Sequence, residues 1–327
     1  MQDAHLSRDD DNNHTTALPV SPTVEAPSGK SAKTENFPVG SVLIARHLRP
    51  HVEHFYAFAR AIDDIADAPE LEPEEKIRRL KGFEDTLEGR IPDSPAYGKA
   101  TALRKSLQET DVPTRHGVDL IAAFVQDAVK TRYDSWDDLM GYCALSAAPV
   151  GRYLIDLHGG ARTGTTWASD ALCAALQVIN HLQDCGDDYR EIDRVYLPMD
   201  WMEQEGARVE DLGGTALTPA LRRVLDRCIA GTWDLLDTAA CLSADIRDPR
   251  LSMEAGVIVE IARALTRKLA SEDPLARRVK LTRPELALTA LKGVATGLLA
   301  RYTVAQSDLA ARMRDPFANL PKQETGS

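Results

Sequence analysis

The chain has 327 residues, is 43% hydrophobic and carries a formal net charge of -11, so it can bury a substantial core. The negative charge argues against a nucleic-acid partner and against a polybasic membrane anchor, because both require clustered Lys and Arg. No run reaches the roughly eighteen apolar residues of a transmembrane helix, and residues 1–5 lack the pattern of a signal peptide. These features predict a cytoplasmic protein and leave open a peripheral contact with the inner membrane.

The composition divides the chain into three predicted regions. Residues 1–34 are rich in Asp, Asn, Thr, Ser and Pro and contain few large apolar groups, which predicts a disordered N-terminal tail. Residues 35–315 are predicted to form one folded domain. Residues 316–327 are predicted to form a flexible C-terminal tail.

The folded region shows helical periodicity from its beginning. Apolar residues recur at steps of three and four over residues 49–69, and a second helix is predicted to begin at Pro73 and end at Gly89. Ser135 and Asp138 have the spacing of a capping box for a helix starting near residue 136. Further helices are predicted over residues 114–131, 136–157, 166–186, 218–245, 250–270 and 283–312. Strand signals are scarce, so the predicted fold class is all-α.

The cysteine pattern does not indicate a disulfide or zinc framework. The five cysteines are odd in number and show no CxxC spacing: Cys143, Cys173, Cys185, Cys228 and Cys241. This pattern favours reduced, buried and inert thiols.

A first acidic cluster follows an aromatic and a basic residue on the first predicted helix. Tyr56, Arg60, Asp63 and Asp67 are separated by four, three and four residues, so they share one helix face, with Asp64 beside them. A face directed at the core would not normally carry Arg and two Asp, because buried charges must be paired or bound to a metal.

A second acidic cluster repeats this arrangement about 120 residues later. Gln177, Asn180, Asp184 and Asp188 are separated by three, four and four residues, with Gln183 alongside. If the two helices face one another, their carboxylates suit Mg²⁺, which binds one or two carboxylates together with phosphate oxygens. The pair of clusters therefore predicts a site for a diphosphate.

Simpler interpretations exist for each residue taken alone. A single acidic cluster on a helix is most often a solvated face, and Asp187 fits that description. Tyr56 alone would be a core residue, and Arg60 alone would be an ion-pair partner of the aspartates that follow it. His158 and His181 are interpreted as structural, because no paired-His spacing accompanies them.

Four ordered motifs resemble the squalene and phytoene synthase family of trans-isoprenyl diphosphate synthases. The similarity extends from about residue 35 to about residue 312. The motifs combine the two acidic clusters with a Tyr-Cys-x-x-Ser-Ala-x-x-Val-Gly segment and an Arg-Val-Tyr-Leu-Pro segment. They occupy residues 56–67, 142–151, 177–188 and 194–198.

The resemblance implies a fold, a cofactor and a set of site residues. The implied fold is the isoprenoid synthase fold, a single helical bundle around a central cavity. The implied Mg²⁺ ligands are Asp63, Asp67, Asp184 and Asp188. The implied catalytic residues are Tyr56, Arg60, Tyr142, Gln177, Asn180 and Tyr196. The implied substrate contacts are Arg60, Asn180, Gln183, Arg194 and Tyr196.

Within the family, the likeness is to the bacterial hydroxysqualene synthases of the hopanoid pathway, through residues 35–39 and 146–152. This likeness implies a presqualene diphosphate substrate and capture of its cation by water, with no NADPH. Two positions depart from the wider family. Gln183 stands where an Arg is common, and Pro149 stands where a small residue is common. We expect Pro149 to kink a helix and free a carbonyl near the cavity for a water.

Three other functions remain open at this stage. The first is a head-to-head prenyl transferase that makes presqualene diphosphate, squalene or phytoene from prenyl diphosphates. The second is a non-catalytic helical protein that binds a prenyl diphosphate or a partner synthase of the pathway. The third is a terpene cyclase, although the motifs at residues 142–151 and 194–198 are not typical of that class.

Overall fold

The computed structural model describes Val24, residues 44–303 and residues 306–321. Apart from Val24, the predicted disordered tail of residues 1–34 lies outside the described residues, as do the motif at residues 35–39 and the terminal residues 322–327. Within the described part of the chain the fold is all-α, as predicted, and a single pair of short strands accompanies the helices.

The described elements are thirteen helices, two strands and two short 3₁₀ turns. The strands β1 (Arg132–Tyr133) and β2 (Val195–Pro198) pair in parallel. The 3₁₀ turns are Pro95–Tyr97 and Val209–Gly213. The helices are α1 (Arg49–Asp67), α2 (Pro73–Leu87), α3 (Gly98–Thr110), α4 (Arg115–Asp127), α5 (Trp136–Ser146), α6 (Ala148–Leu157), α7 (Trp167–Ile192), α8 (Met199–Glu205), α9 (Pro219–Ala239), α10 (Leu242–Asp245), α11 (Pro249–Ser271), α12 (Arg283–Thr303) and α13 (Gln306–Arg312).

The predicted cap of α5 is present, with one difference in its reciprocal bond. The Asp138 backbone N–H donates to the Ser135 side-chain oxygen at 3.2 Å, as a capping box requires. The Asp138 carboxylate accepts from the backbone N–H of Asp134 at 2.9 Å instead of from Ser135. The helix start is therefore tied to the residue that precedes its cap.

Two apolar clusters form the core. The first cluster joins the four helices α1, α2, α3 and α4 and is built around Phe58 and Phe83. The Tyr153 ring of α6 stacks on Phe55 in this cluster, with 3.9 Å between the ring centroids. The second cluster surrounds the 26-residue helix α7, which packs against α5, α6, α9 and α11. A Cβ at Gly151 of α6 would lie 2.3 Å from the Ser169 Oγ, so only glycine allows α6 and α7 to approach this closely.

The predicted helix over residues 136–157 is two helices, which corrects the expectation of a kink. α5 ends at Ser146 and α6 begins at Ala148, with Pro149 in its first turn. A proline lacks an N–H, and in the first turn of a helix that N–H has no intrahelical partner. Pro149 therefore starts a new helix instead of bending a continuous one.

Other boundaries also differ from the prediction. The predicted helix over residues 218–245 is divided into α9 and α10, while α3 and α8 were missed. α3 offers a weak pattern because only two leucines, Leu103 and Leu107, are on its buried stripe. α7 continues to Ile192, six residues past its predicted end.

The last described residues are packed against the fold. Phe317 and Leu320, within the predicted flexible C-terminal tail, pack against the second core cluster. In the part of the chain that is described, no helix combines the length and the apolar character needed to cross a membrane.

Candidate active site

The first cluster lies on one half-buried face of α1. Tyr56, Arg60, Asp63 and Asp67 are all half-buried, whereas the opposite face is buried in the first core cluster. Arg60 bridges two carboxylates: its Nη1 lies 2.7 Å from the Asp63 Oδ2, and its Nη2 lies 2.7 Å from the Asp64 Oδ1. The guanidinium is thus held in one orientation beside the aspartates.

The second cluster lies on one half-buried face of α7. Gln177, Asn180, Asp184 and Asp188 are half-buried, as their spacing predicts. Gln183, which the resemblance places among the substrate contacts, is turned away from them. It is buried, and its Nε2 donates to the Val279 carbonyl in the segment after α11.

The two acidic clusters lie within electrostatic range of one another. The pKa of Asp188 is raised to about 7, chiefly because burial disfavours its charge and then because Asp184 and Asp67 are negative. Asp67 belongs to α1, so carboxylates of both clusters influence one another, and we call the space between these two helix faces the cleft.

Arg194 joins the two sides of this cleft. It is buried at the start of β2, and its Nη1 lies 3.6 Å from the Asp67 Oδ1 and donates to the Tyr196 hydroxyl at 3.2 Å. Its Nη2 donates to the Asp127 carbonyl at 3.0 Å. The positive charge of Arg194 opposes the rise in the pKa of Asp188.

A cluster of aromatic rings lies beside Arg194. The rings of Tyr196, His181 and Tyr142 are mutual neighbours: the Tyr196 centroid lies 3.4 Å from that of His181 and 5.7 Å from that of Tyr142, and the other two are 6.1 Å apart. The Tyr142 hydroxyl donates to the Asp127 carboxylate at 2.8 Å. Burial raises the pKa of both tyrosines and lowers that of His181 to about 3, so these rings are neutral at pH 7.

Three residues of this region were missed by the sequence analysis. Asp127 ends α4 and is buried beside Arg194, and burial raises its pKa to about 6. Lys76 donates to the Ala66 carbonyl at 2.7 Å and interacts electrostatically with Asp67. Arg278 donates to the Asp184 carboxylate at 3.0 Å. Of these three residues, only Asp127 has a sequence signal, because it is a charged residue at the end of an apolar helix.

The carboxylates suit a divalent cation that is completed by other ligands. Burial and then the negative charges of Asp184 and Asp67 raise the pKa of Asp188, and a cation beside these carboxylates would offset their repulsion. Among the described residues, no group of three or more His, Cys, Asp or Glu side chains is gathered closely enough to hold a metal ion.

A separate cavity lies away from these residues. It has a volume of about 330 Å³ and is lined in part by Asp237, Cys241 and Arg312. None of its lining residues belongs to the two acidic clusters.

The cysteines agree with the expected reduced thiols: all five are free, and four are buried while Cys173 is half-buried.

Comparison with known proteins identifies the family. The family model described as squalene/phytoene synthase matches residues 31–285. The hydroxysqualene synthase of Rhodopseudomonas palustris is 43% identical over 278 residues, covering 85% of this chain and 94% of the relative. That of Zymomonas mobilis is 42% identical over 261 residues, covering 79% and 86%.

The fold comparison agrees with the sequence comparison. The crystal structure of a squalene synthase from Alicyclobacillus acidocaldarius has a TM-score of 0.64 and 31% identity, covering 72% of this chain and 88% of that chain. A dehydrosqualene synthase has a TM-score of 0.67 at 20% identity, which shows a common fold. These matches show that the chain belongs to the squalene/phytoene synthase family.

Proposed function

We propose that this chain is a magnesium-dependent hydroxysqualene synthase that converts presqualene diphosphate and water into hydroxysqualene and diphosphate. The observation that carries the proposal is the half-buried aspartate face on each of α1 and α7, with Asp67 near enough to influence the pKa of Asp188. This arrangement supports a site at which acidic groups of the two helices would surround a diphosphate and its metal ions. The names of the curated relatives support the choice of reaction within the family.

The proposed metal ligands are Asp63, Asp67, Asp184 and Asp188. Bound Mg²⁺ supplies Lewis acidity that stabilises the negative charge of the leaving diphosphate. The protein contributes the spacing: each helix presents two aspartates four residues apart on one face. Arg278, bonded to Asp184, holds one of these carboxylates in place.

The first chemical step breaks the carbon–oxygen bond of the substrate, and the electron pair leaves with the diphosphate. We assign Arg60 and Arg194 to binding the diphosphate, because each lies against aspartates of the cleft. Asn180 and Gln177 lie on the α7 face that also carries Asp184, where their amides are suited to hydrogen-bond the same group. Gln183 is not assigned a substrate contact, because its amide bonds the Val279 carbonyl.

The second step captures the carbocation with water. A new carbon–oxygen bond forms from the water oxygen, and one proton is released, so no hydride donor and no NADPH are needed. We assign Tyr142 and Tyr196 to stabilising the cation through their rings, an attraction of about 1 to 2 kcal/mol when desolvated. Tyr56, half-buried on the aspartate face of α1, is assigned the same role from the opposite side.

A head-to-head prenyl transferase is the second candidate function. It is favoured by the 31% identity to a protein whose structure is described as a squalene synthase. A phytoene synthase of Thermus thermophilus is 30% identical but is matched over only 59% of this chain.

Product analysis separates the two functions. Purified protein with Mg²⁺ would be incubated with presqualene diphosphate and, separately, with farnesyl diphosphate, each with and without NADPH. We expect hydroxysqualene from presqualene diphosphate without NADPH, and no turnover of farnesyl diphosphate. Consumption of farnesyl diphosphate alone, or squalene formed only with NADPH, would favour the prenyl transferase.

The proposed substrate has long apolar chains, which favours a cytoplasmic enzyme that contacts the inner membrane peripherally. Direct transfer of presqualene diphosphate from a partner synthase of the pathway is proposed as the other route of supply. Co-purification with the enzyme that makes presqualene diphosphate would test the second route. Vesicle binding tests the first.

A further inference from the structure

Helix α12 presents an apolar face to the solvent. Of the nine large hydrophobic side chains that are exposed among the described residues, six lie on this helix. Five of the six follow one stripe at helical spacing, which we call the α12 leucine face: Leu288, Leu291, Leu298, Leu299 and Tyr302. Leu288, Leu291 and Tyr302 are 71%, 70% and 81% exposed. The stripe is about 21 Å long at the rise of an α-helix.

The opposite face of α12 explains why the leucines point outward. Gly293 and Gly297 are buried against α11, where the facing residue is Gly256. A Cβ at Gly293 would lie 2.4 Å from the Cα of Val257, so the backbones of the two helices are nearly in contact. Because the glycine side must face inward for this packing, the leucine side is left exposed.

The charge around α12 is opposite to that of the whole protein. Residues 276–303 contain six Lys or Arg side chains and one carboxylate, Glu285, in a chain whose net charge is -11. Four of the cations form a basic segment at residues 277–283 and are all exposed. Arg277 and Arg278 pair with acidic residues, whereas Lys280 and Arg283 form no ion pair with any described residue. An apolar stripe beside exposed cations is typical of a helix that lies on an anionic lipid surface.

We infer that the α12 leucine face and the basic segment at residues 277–283 dock this enzyme on the surface of an anionic lipid bilayer. The leucines and Tyr302 enter the boundary between headgroups and acyl chains, and Lys280 and Arg283 contact lipid phosphates. The inference deepens the proposed peripheral membrane contact by naming its surface and the charge of the lipid.

The same segment reaches the candidate active site. Arg278 belongs to the basic segment, and its guanidinium donates to the Asp184 carboxylate of α7 at 3.0 Å. A bilayer bound along α12 therefore lies next to the cleft between α1 and α7. This position suits a substrate whose chains reside in the bilayer and whose diphosphate must reach the aspartates.

Two other occupants of the face are less favoured. A second copy of this chain carries the same excess of positive charge along α12, so pairing of two such faces is opposed by like charges. The N-terminal segment of this chain is described at Val24, whose backbone N–H donates to the Ala96 carbonyl before α3. That contact involves the first core cluster, whereas α12 packs on α10 and α11.

The test is sedimentation of the full-length protein with lipid vesicles. One set of vesicles contains phosphatidylcholine alone, and the other contains equal amounts of phosphatidylcholine and phosphatidylglycerol. We expect at least about tenfold stronger binding to the anionic vesicles, weakened by salt. Leu288→Ser/Leu291→Ser should reduce that binding at least about tenfold, because two leucines lose their apolar contact.

Matched variants control for hydrophobicity and for net charge. Val129→Ser/Ile192→Ser removes two exposed apolar side chains elsewhere and should leave binding unchanged. Lys280→Ser/Arg283→Ser should weaken binding to the anionic vesicles only. Arg208→Ser/Arg250→Ser removes the same charge from exposed positions elsewhere and should have little effect.

Three outcomes with the full-length protein, and one with a truncated protein, would overturn the inference. The first three are equal binding to both kinds of vesicle, equal effects of the matched variants, and a leucine-dependent dimer in light scattering without vesicle binding. Vesicle binding that emerges only after removal of residues 1–23 would assign the face to that segment instead. Turnover of presqualene diphosphate dispersed in detergent is measured in parallel for Leu288→Ser/Leu291→Ser, so a failure of docking is distinguished from a failure of the proposed reaction.

Discussion

Helices α7 and α12 depart from the ordinary amphipathic pattern in opposite directions. α7 is surrounded by the second core cluster, yet one of its faces carries half-buried polar groups that include Asp184 and Asp188. α12 lies at the surface, yet it turns Leu288 and Leu291 toward the solvent.

Each departure has a cost in stability and coincides with a candidate function. On α7, burial and the neighbouring carboxylates disfavour the charge of Asp188, which raises its pKa. Exposed leucines on α12 forgo the burial that would stabilise the fold. Proteins depart from the burial of apolar side chains and the exposure of charged ones mainly at functional sites. The two helices therefore indicate where the sequence serves chemistry or binding instead of stability.

The largest expected effect is on the polar face of α7. Asp184→Asn should lower turnover of presqualene diphosphate at least about a hundredfold, because it weakens charge stabilisation of the leaving diphosphate. Steady-state kinetics with Mg²⁺ would measure it. Asp187→Asn is the matched control, since Asp187 is exposed and pairs with Arg190 at 2.6 Å. Near wild-type rates for Asp184→Asn would show that the site lies elsewhere.

The inner face of α12 should be sensitive to size. Gly293→Ala should lower the free energy of unfolding by about 2 kcal/mol, because the new Cβ meets the Val257 backbone at 2.4 Å. Gly98→Ala is the control, since no atom lies within 4 Å of a Cβ there. Denaturant unfolding of both variants would measure the difference, and an equal loss in both would contradict close packing of α11 and α12.

Asp127 gives the cleft a pH-dependent stability. Burial raises its folded pKa to about 6, above the unfolded value of about 3.9, so its contribution is favourable below pH 4 and is lost as the pH rises through 6. The unfolding free energy of the wild type minus that of Asp127→Asn should therefore fall by about 2 kcal/mol between pH 4 and pH 7. Denaturant titrations at several pH values would measure it. If the difference between the two unfolding free energies grew with pH, the positive charge of Arg194 would outweigh burial in setting the pKa of Asp127.

The smallest expected effect is on the outer face of α12. Leu288→Ser/Leu291→Ser should change the free energy of unfolding by only about 0.5 kcal/mol, because both side chains are already exposed to solvent. Denaturant unfolding would check it. A loss of several kcal/mol would mean that this face packs against protein and would remove the contrast with α7.

Much of the fold was predictable where a local signal was strong. The stripe of apolar residues between Pro50 and Pro69 predicted α1, and Pro73 correctly predicted where α2 begins. α3 was missed because its buried stripe is short. The break at Ala147 was predicted only as a kink at Pro149, although a proline in the first turn is also a signal for a new helix.

The candidate site was predictable to a similar extent. Helical spacing placed Asp63 with Asp67 and Asp184 with Asp188, and the half-buried faces of α1 and α7 agree with it. Gln183 was grouped with the second pair although it is buried against Val279. Its partner is 96 residues away along the chain, so no local pattern could have revealed the contact.

The sequence by itself determined the all-α class, the family motifs and the positions of the four aspartates on their helices, because these follow from spacing along one chain segment. Tertiary structure alone decided that Arg194 bridges Asp67 and Asp127, and that the glycines of α12 face inward while its leucines face the solvent. A hydrophobic stripe predicts that a helix has a preferred face. Which neighbour that face meets is fixed only when distant segments compete for the same contact.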